Sequence, residues 1–186
     1  RGYLSTDLSV VGARPNGDDF ARTGLESRLA DAVSIAGGTR AECEWRFPSN
    51  SLATSLSQVL EDWNRQSEGK AMTDLERRLV VAIRTWRPEL LVSDSPDPAD
   101  APDSASALVS QALQRAFQSA ADATAFPELI ESARLQPWSV KRLFTATKSS
   151  QNAEVRIDAS EPSRIAATAG KPLDDQVSLA TSLLAE

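Results

Sequence analysis

The chain contains no histidine, one cysteine, one methionine and one tyrosine. The missing histidine excludes the most. Imidazole metal ligands, Ser–His and Cys–His nucleophile pairs and imidazole acid–base catalysis all go with it. A lone Cys43 excludes an internal disulfide and any multi-cysteine metal site, and it reads as a small buried hydrophobe. Basic residues are outnumbered, 20 Lys and Arg against 26 Asp and Glu, which leaves a net charge of −6 and a pI near 4.8. With no basic stripe to neutralise phosphates, no nucleic-acid partner is expected. No apolar run approaches the roughly 20 residues that a membrane-spanning helix needs. The opening residues do not read as a secretory leader. Because the chain begins at Arg1 rather than Met, it is expected to be a trimmed or excised piece, and its compartment stays open.

What is present is globular in composition: 41% hydrophobic and 25% charged over 186 residues, with no internal repeat. A chain of this length can bury roughly 70% of its unfolded surface in a single core, so one domain over 1–186 is expected. The pattern alternates. Leu8–Ala13 is short, apolar and closed by Gly-Ala and Pro15, as a buried strand would be. A helix is expected from Asp19 to Ile35, ended by Gly37-Gly38, with Leu25, Leu29 and Val33 inward, joined on the same face by Phe20. Glu42–Phe47 alternates as a strand, and Leu52–Trp63 reads as a helix. Arg65–Ala71 reads as polar loop. Thr73-Asp74-Leu75-Glu76 has the form of a capping box, opening a helix with Leu75, Leu79, Val80, Ile83 and Trp86 on one side, stopped by Pro88.

Leu90-Leu91-Val92 reads as a short buried strand. Asp94–Asp103 is an acidic, Pro-containing loop, expected to be mobile or held by a neighbour. Ser104–Ala121 is the strongest amphipathic segment, with Val109, Ala112, Leu113, Ala116, Phe117 and Ala120 on one stripe. Pro127–Ala133 suits a short helix with Pro at its first position. Lys141–Ala146 and Ala153–Asp158 read as strands, and Leu173–Ala185 as a closing helix. Trp45, Trp63, Trp86 and Trp138 read as core or interface residues, with Trp63, among Glu61, Asp62, Asn64 and Arg65, the one expected to be exposed. The alternation predicts an α/β fold, Rossmann-like and three-layered (αβα), with a mostly parallel central sheet. Leu8–Ala13 is expected beside Leu90–Val92, since both are apolar on both faces. Ligands in such folds bind beyond the carboxyl ends of the strands, where the loops Arg14–Asp19 and Asp94–Ser104 would lie.

Val10-Val11-Gly12-Ala13-Arg14-Pro15-Asn16-Gly17-Asp18-Asp19 resembles the opening motif of the PIG-L/LmbE family of zinc-dependent N-acetylsugar deacetylases, where a strand ends in Gly-Ala-His-Pro-Asp-Asp. Ala101-Pro102-Asp103-Ser104 stands where that family carries His-Pro-Asp-His. The approach Ile83-Arg84-Thr85-Trp86-Arg87-Pro88-Glu89-Leu90-Leu91-Val92 is similar to the family's helix, Arg-Pro, strand passage. Ala125-Phe126-Pro127-Glu128 and Gln136-Pro137-Trp138-Ser139-Val140-Lys141-Arg142-Leu143 resemble stretches of bacterial members. The likeness covers about residues 8–144, with residues 141–186 left as C-terminal strands and helix. The first motif alone is also similar to the Gly-Thr-Arg-Pro opening of UDP-sugar 2-epimerases, which are much longer chains.

The resemblance implies the fold and denies the activity. The family's zinc ligands are the first motif's His and second Asp and the second motif's last His; here those places hold Arg14, Gly17 and Ser104. The first Asp, which activates water, is Asn16, and the oxyanion-stabilising His is Ala101. A catalytic zinc takes three protein ligands, and an amide accepts no proton near neutral pH. The expectation is therefore a catalytically inactive deacetylase-like domain, a binding or assembly module without zinc or other cofactor. It keeps a vestigial pocket of Arg14, Asp18, Asp19, Asp94, Asp103 and Ser104, and its partners are further copies or other domains of a longer protein. Arg14 is expected to pair there with Asp18, Asp19 or Asp103 in place of the ion. The alternative is a metal-dependent hydrolase in which displaced carboxylates, Asp18 or Asp19, replace the missing ligands. Asp94, Asp97, Asp100 and Asp103 could likewise bind a hard cation. The plain alternative for each residue is structural: a solvated loop, Asp19 near a helix N-terminus, and Asp103 or Ser104 as a simple N-cap.

Overall fold

The structure is a computed structural model that describes residues 19–35, 47, 55–147, 155, 178–179 and 182–183. Arg14, Asn16, Gly17 and Asp18, the expected strands Leu8–Ala13 and Glu42–Phe47 except Phe47, and most of Ala153–Asp158 and Leu173–Ala185 lie outside those residues. The expected pairing of Leu8–Ala13 with Leu90–Val92 therefore lies outside them too. The chain divides into two compact units, one comprising residues 1–50 and 154–186, the other residues 51–153.

The described part of the first unit is chiefly helix α1 (Asp19–Ile35), with the bounds expected from its apolar spacing. Leu29, Ala32 and Val33 are buried, an i, i+3, i+4 stripe that gives the helix one inward face. Phe47 is also buried.

The second unit runs α2 (Leu56–Gln66), α3 (Ala71–Trp86), β1 (Leu90–Ser93), α4 (Ser104–Ala121), α5 (Pro127–Glu131) and β2 (Arg142–Thr145). The two strands pair in parallel, Leu90 opposite Arg142 and Ser93 opposite Thr145. A parallel pair cannot be closed by a tight turn and needs a crossover, which α4 and α5 supply. The unit is thus a βαβ arrangement on a small parallel sheet, with α2 and α3 packed against α4. Its core gathers Val80 and Ile83 of α3, Ala116 and Ala120 of α4, Leu129 of α5 and Val140 before β2. The small alanines of α4 let α3 approach closely, and Leu91, Phe117 and Trp138 fill the margins.

Four sequence expectations change here. Trp63 is fully buried, not exposed: its neighbours are polar, but Val59 and Trp63 stand four residues apart and share the inward face of α2. Helix α2 begins at Leu56 and runs through Gln66, opened by a capping box of Ser55 and Gln58. Helix α3 begins two residues before the supposed cap at Thr73. Its first amide, Ala71, is bonded by the side chain of Asn64 at 3.2 Å, and the Glu76 carboxylate accepts instead from Ser119 Oγ at 2.6 Å. The remaining difference concerns faces. Trp86 is 47% exposed at the end of α3, while Arg84 takes a place on the buried side. Leu90 and Val92 are 54% and 73% exposed, because only the Leu91–Ser93 face of β1 turns toward the helices.

Candidate functional site

The stretch Ala101-Pro102-Asp103-Ser104 lies beyond the carboxyl end of β1 and leads into α4. Ser93 closes the strand, its carbonyl accepting from Ala146 N at 2.8 Å and its hydroxyl pairing with the buried Ser110 hydroxyl at 2.8 Å. The acidic loop is then wound by its own backbone. Asp97 N donates to Ser95 Oγ, the Asp97 carboxylate accepts from Ala99 N at 2.9 Å, and the Asp97 carbonyl accepts from Asp100 N and Ala101 N. Gln111 of α4 donates to the Pro96 carbonyl at 3.0 Å. Ser95 and Ala101 are buried. Through Gln111 this loop, expected to be mobile or held by a neighbour, is hydrogen-bonded to α4.

Three residues of this stretch have a visible local setting. Asp103 is the N-cap of α4 in extended backbone, its carboxylate accepting from Ser106 N at 2.7 Å. Ser104 is the first residue of the helix and half-buried. Ala101 is buried under the loop. Asp94, Asp97 and Asp100 are exposed. Among the described residues no three acidic or cysteine side chains are grouped so that they could hold a metal ion. Asp19 is the first residue of α1; the rest of the first motif is outside the described residues. Beside the loop, Gln111, Gln114, Arg115 and Gln118 line an open depression of about 320 Å³ along α4.

Among the described residues, Arg84 is a buried charge that the sequence does not single out. Arg84 is 1% exposed. Its Nε donates to the Ala120 carbonyl at 3.2 Å, and its Nη2 meets the carbonyls of Ser119, Asp122 and Ala125 at 3.1, 2.7 and 3.0 Å. These are carbonyls at and just beyond the end of α4, where the helix leaves acceptors unpaired and its dipole favours a cation. Nη1 is buried with no partner. Burial pulls the Arg84 pKa down, and Asp122 and then Glu128 oppose it. Asp122 is held below the usual carboxylate range mainly by the Thr124 hydroxyl and amide. Glu128 is held low by its own backbone N–H and by Arg77, whose Nε lies 3.0 Å away. The only signal in the sequence is that Arg84 stands four residues after Val80, on the apolar side of α3. No family model matches the chain, and no match to a curated protein was found.

Proposed function

We propose that the chain is a PIG-L/LmbE-like domain that has lost its chemistry and serves as a binding or assembly module. In this reading the βαβ unit is part of a larger three-layer fold with a mostly parallel sheet. The observation that carries it is the second-motif passage: a parallel strand, a loop beyond its carboxyl end, and Asp103-Ser104 at the start of a long helix. That is the strand–loop–helix setting in which α/β folds place ligands, and it supports the reading. The chemistry has gone from the same place. Ala101 and Ser104 offer neither imidazole nor charge, and the Asp103 carboxylate already caps the helix.

No resident zinc belongs to this reading, since Arg14, Gly17 and Ser104 supply no ligand set. Elemental analysis of purified protein, with an N-acetylglucosamine deacetylation assay before and after chelation, tests it. The expected outcome is sub-stoichiometric zinc and no release of acetate. Stoichiometric zinc with chelator-sensitive activity would overturn it and favour the hydrolase with displaced carboxylates.

A further inference from the structure

We infer that residues 122–135 form a strap that opens as a unit while the rest of the second unit stays folded, with Arg84 as its latch. The strap has little of its own to hold it. Its one helix, α5, is five residues long and has no side-chain cap. Phe126 and Arg134 both sit in the left-handed region, at φ 54° and 55°, without being glycine. Leu129 is its only fully buried side chain, with Phe126 and Leu135 packed at the edge of the core. Its ion pair to α3, Arg77 with Glu128, is half exposed, and such pairs hold weakly.

Arg84 bonds the strap and the end of α4 through one guanidinium. Two of its acceptors, Ser119 and Ala120, belong to α4 and stay with it; the other two, Asp122 and Ala125, belong to the strap. The closed form also carries a penalty, because Nη1 is buried without an acceptor. Opening gives up the two strap carbonyls but lets water reach both Nη1 and Nη2. The guanidinium thus closes the strap and also lowers the cost of opening it. Segments with few buried contacts and exposed hydrogen bonds are the ones that open below the global unfolding free energy.

Native-state hydrogen exchange on the full chain tests this. The amides of Leu129, Ser132, Arg134 and Leu135 are bonded within the strap. They should exchange as one group, with protection at least about tenfold below that of the α3 amides around Val80, as for sub-global opening. In the same protein the Arg84 side-chain N–H groups should share the strap's protection rather than that of α3, a reading of the latch that needs no variant. Arg84→Lys, which keeps the charge and loses the fork, should speed strap exchange a further tenfold or so relative to α3, in line with the loss of charge-assisted hydrogen bonds. Strap amides that exchange only with global unfolding would overturn the strap. Arg84 N–H protection equal to that of α3, or an unchanged strap-to-α3 ratio in Arg84→Lys, would overturn the latch.

Discussion

Asp103 shows how much of a motif residue can be accounted for locally. Its carboxylate accepts the Ser106 amide at 2.7 Å, one of the amides that a helix start leaves unpaired without a cap, while its carbonyl accepts the Ala107 amide in the first backbone bond of the helix. Asp103→Ala should therefore cost about 1 kcal/mol of stability, read as a lowered urea midpoint at unchanged slope. Asp103→Asn should restore most of it, since an amide oxygen caps as well as a carboxylate; failure of Asn to restore it would mean that the charge has a task beyond the cap. The cap reading was available in the sequence, because Asp-Ser before an apolar-periodic run is a helix start. The burial of Arg84 was not, since its acceptors lie 35 to 41 residues away in sequence and nothing local marks them. Trp63 was misread because its flanking charges describe composition, whereas its spacing from Val59 describes direction.

At the scale of elements, the helices whose ends are set locally were the legible ones. Helices α1 and α4 have the bounds that the sequence predicts, and β1, β2 and the Pro127 start of α5 also lie where expected. Helix α3 starts early because Asn64, seven residues back on α2, supplies the acceptor for its first amide, a pairing that exists only once the two helices have turned against each other. The turn between them passes through Glu68 and Gly69 at φ 51° and 81°. This makes a contrast between two glycines. Gly24 lies inside α1, and a Cβ there would meet nothing within 4 Å, so Gly24→Ala should stabilise by up to about 1 kcal/mol through helix propensity. Gly69 has equally open space but a positive φ, so Gly69→Ala should destabilise by roughly 1 kcal/mol. Thermal melts of the two variants should shift in opposite directions; a shared direction would refute the backbone argument for one of them.

For the whole molecule, acid should act partly through the strap. Asp122 and Glu128 are both more acidic in the folded protein than usual, so the unfolded chain binds more protons in that range. Their contribution to stability is complete above the ordinary carboxylate range and is lost as pH falls through their lowered folded values. Asp122→Asn should lower the neutral plateau of a plot of melting temperature against pH toward its acid end and so flatten the acid limb; an unchanged limb would show that Asp122 contributes nothing to it. The order in which this unit assembles follows from the way β1 finds β2. Leu90 and Arg142 are register partners, yet everything in α4 and α5 lies between them, and each strand offers only four residues in return for closing that loop. The α3–α4 contact closes a shorter length of chain over a larger apolar surface. The helices should therefore meet early and the strands zip late. In refolding experiments, Ala116→Gly should slow folding, whereas Leu91→Ala should chiefly hasten unfolding.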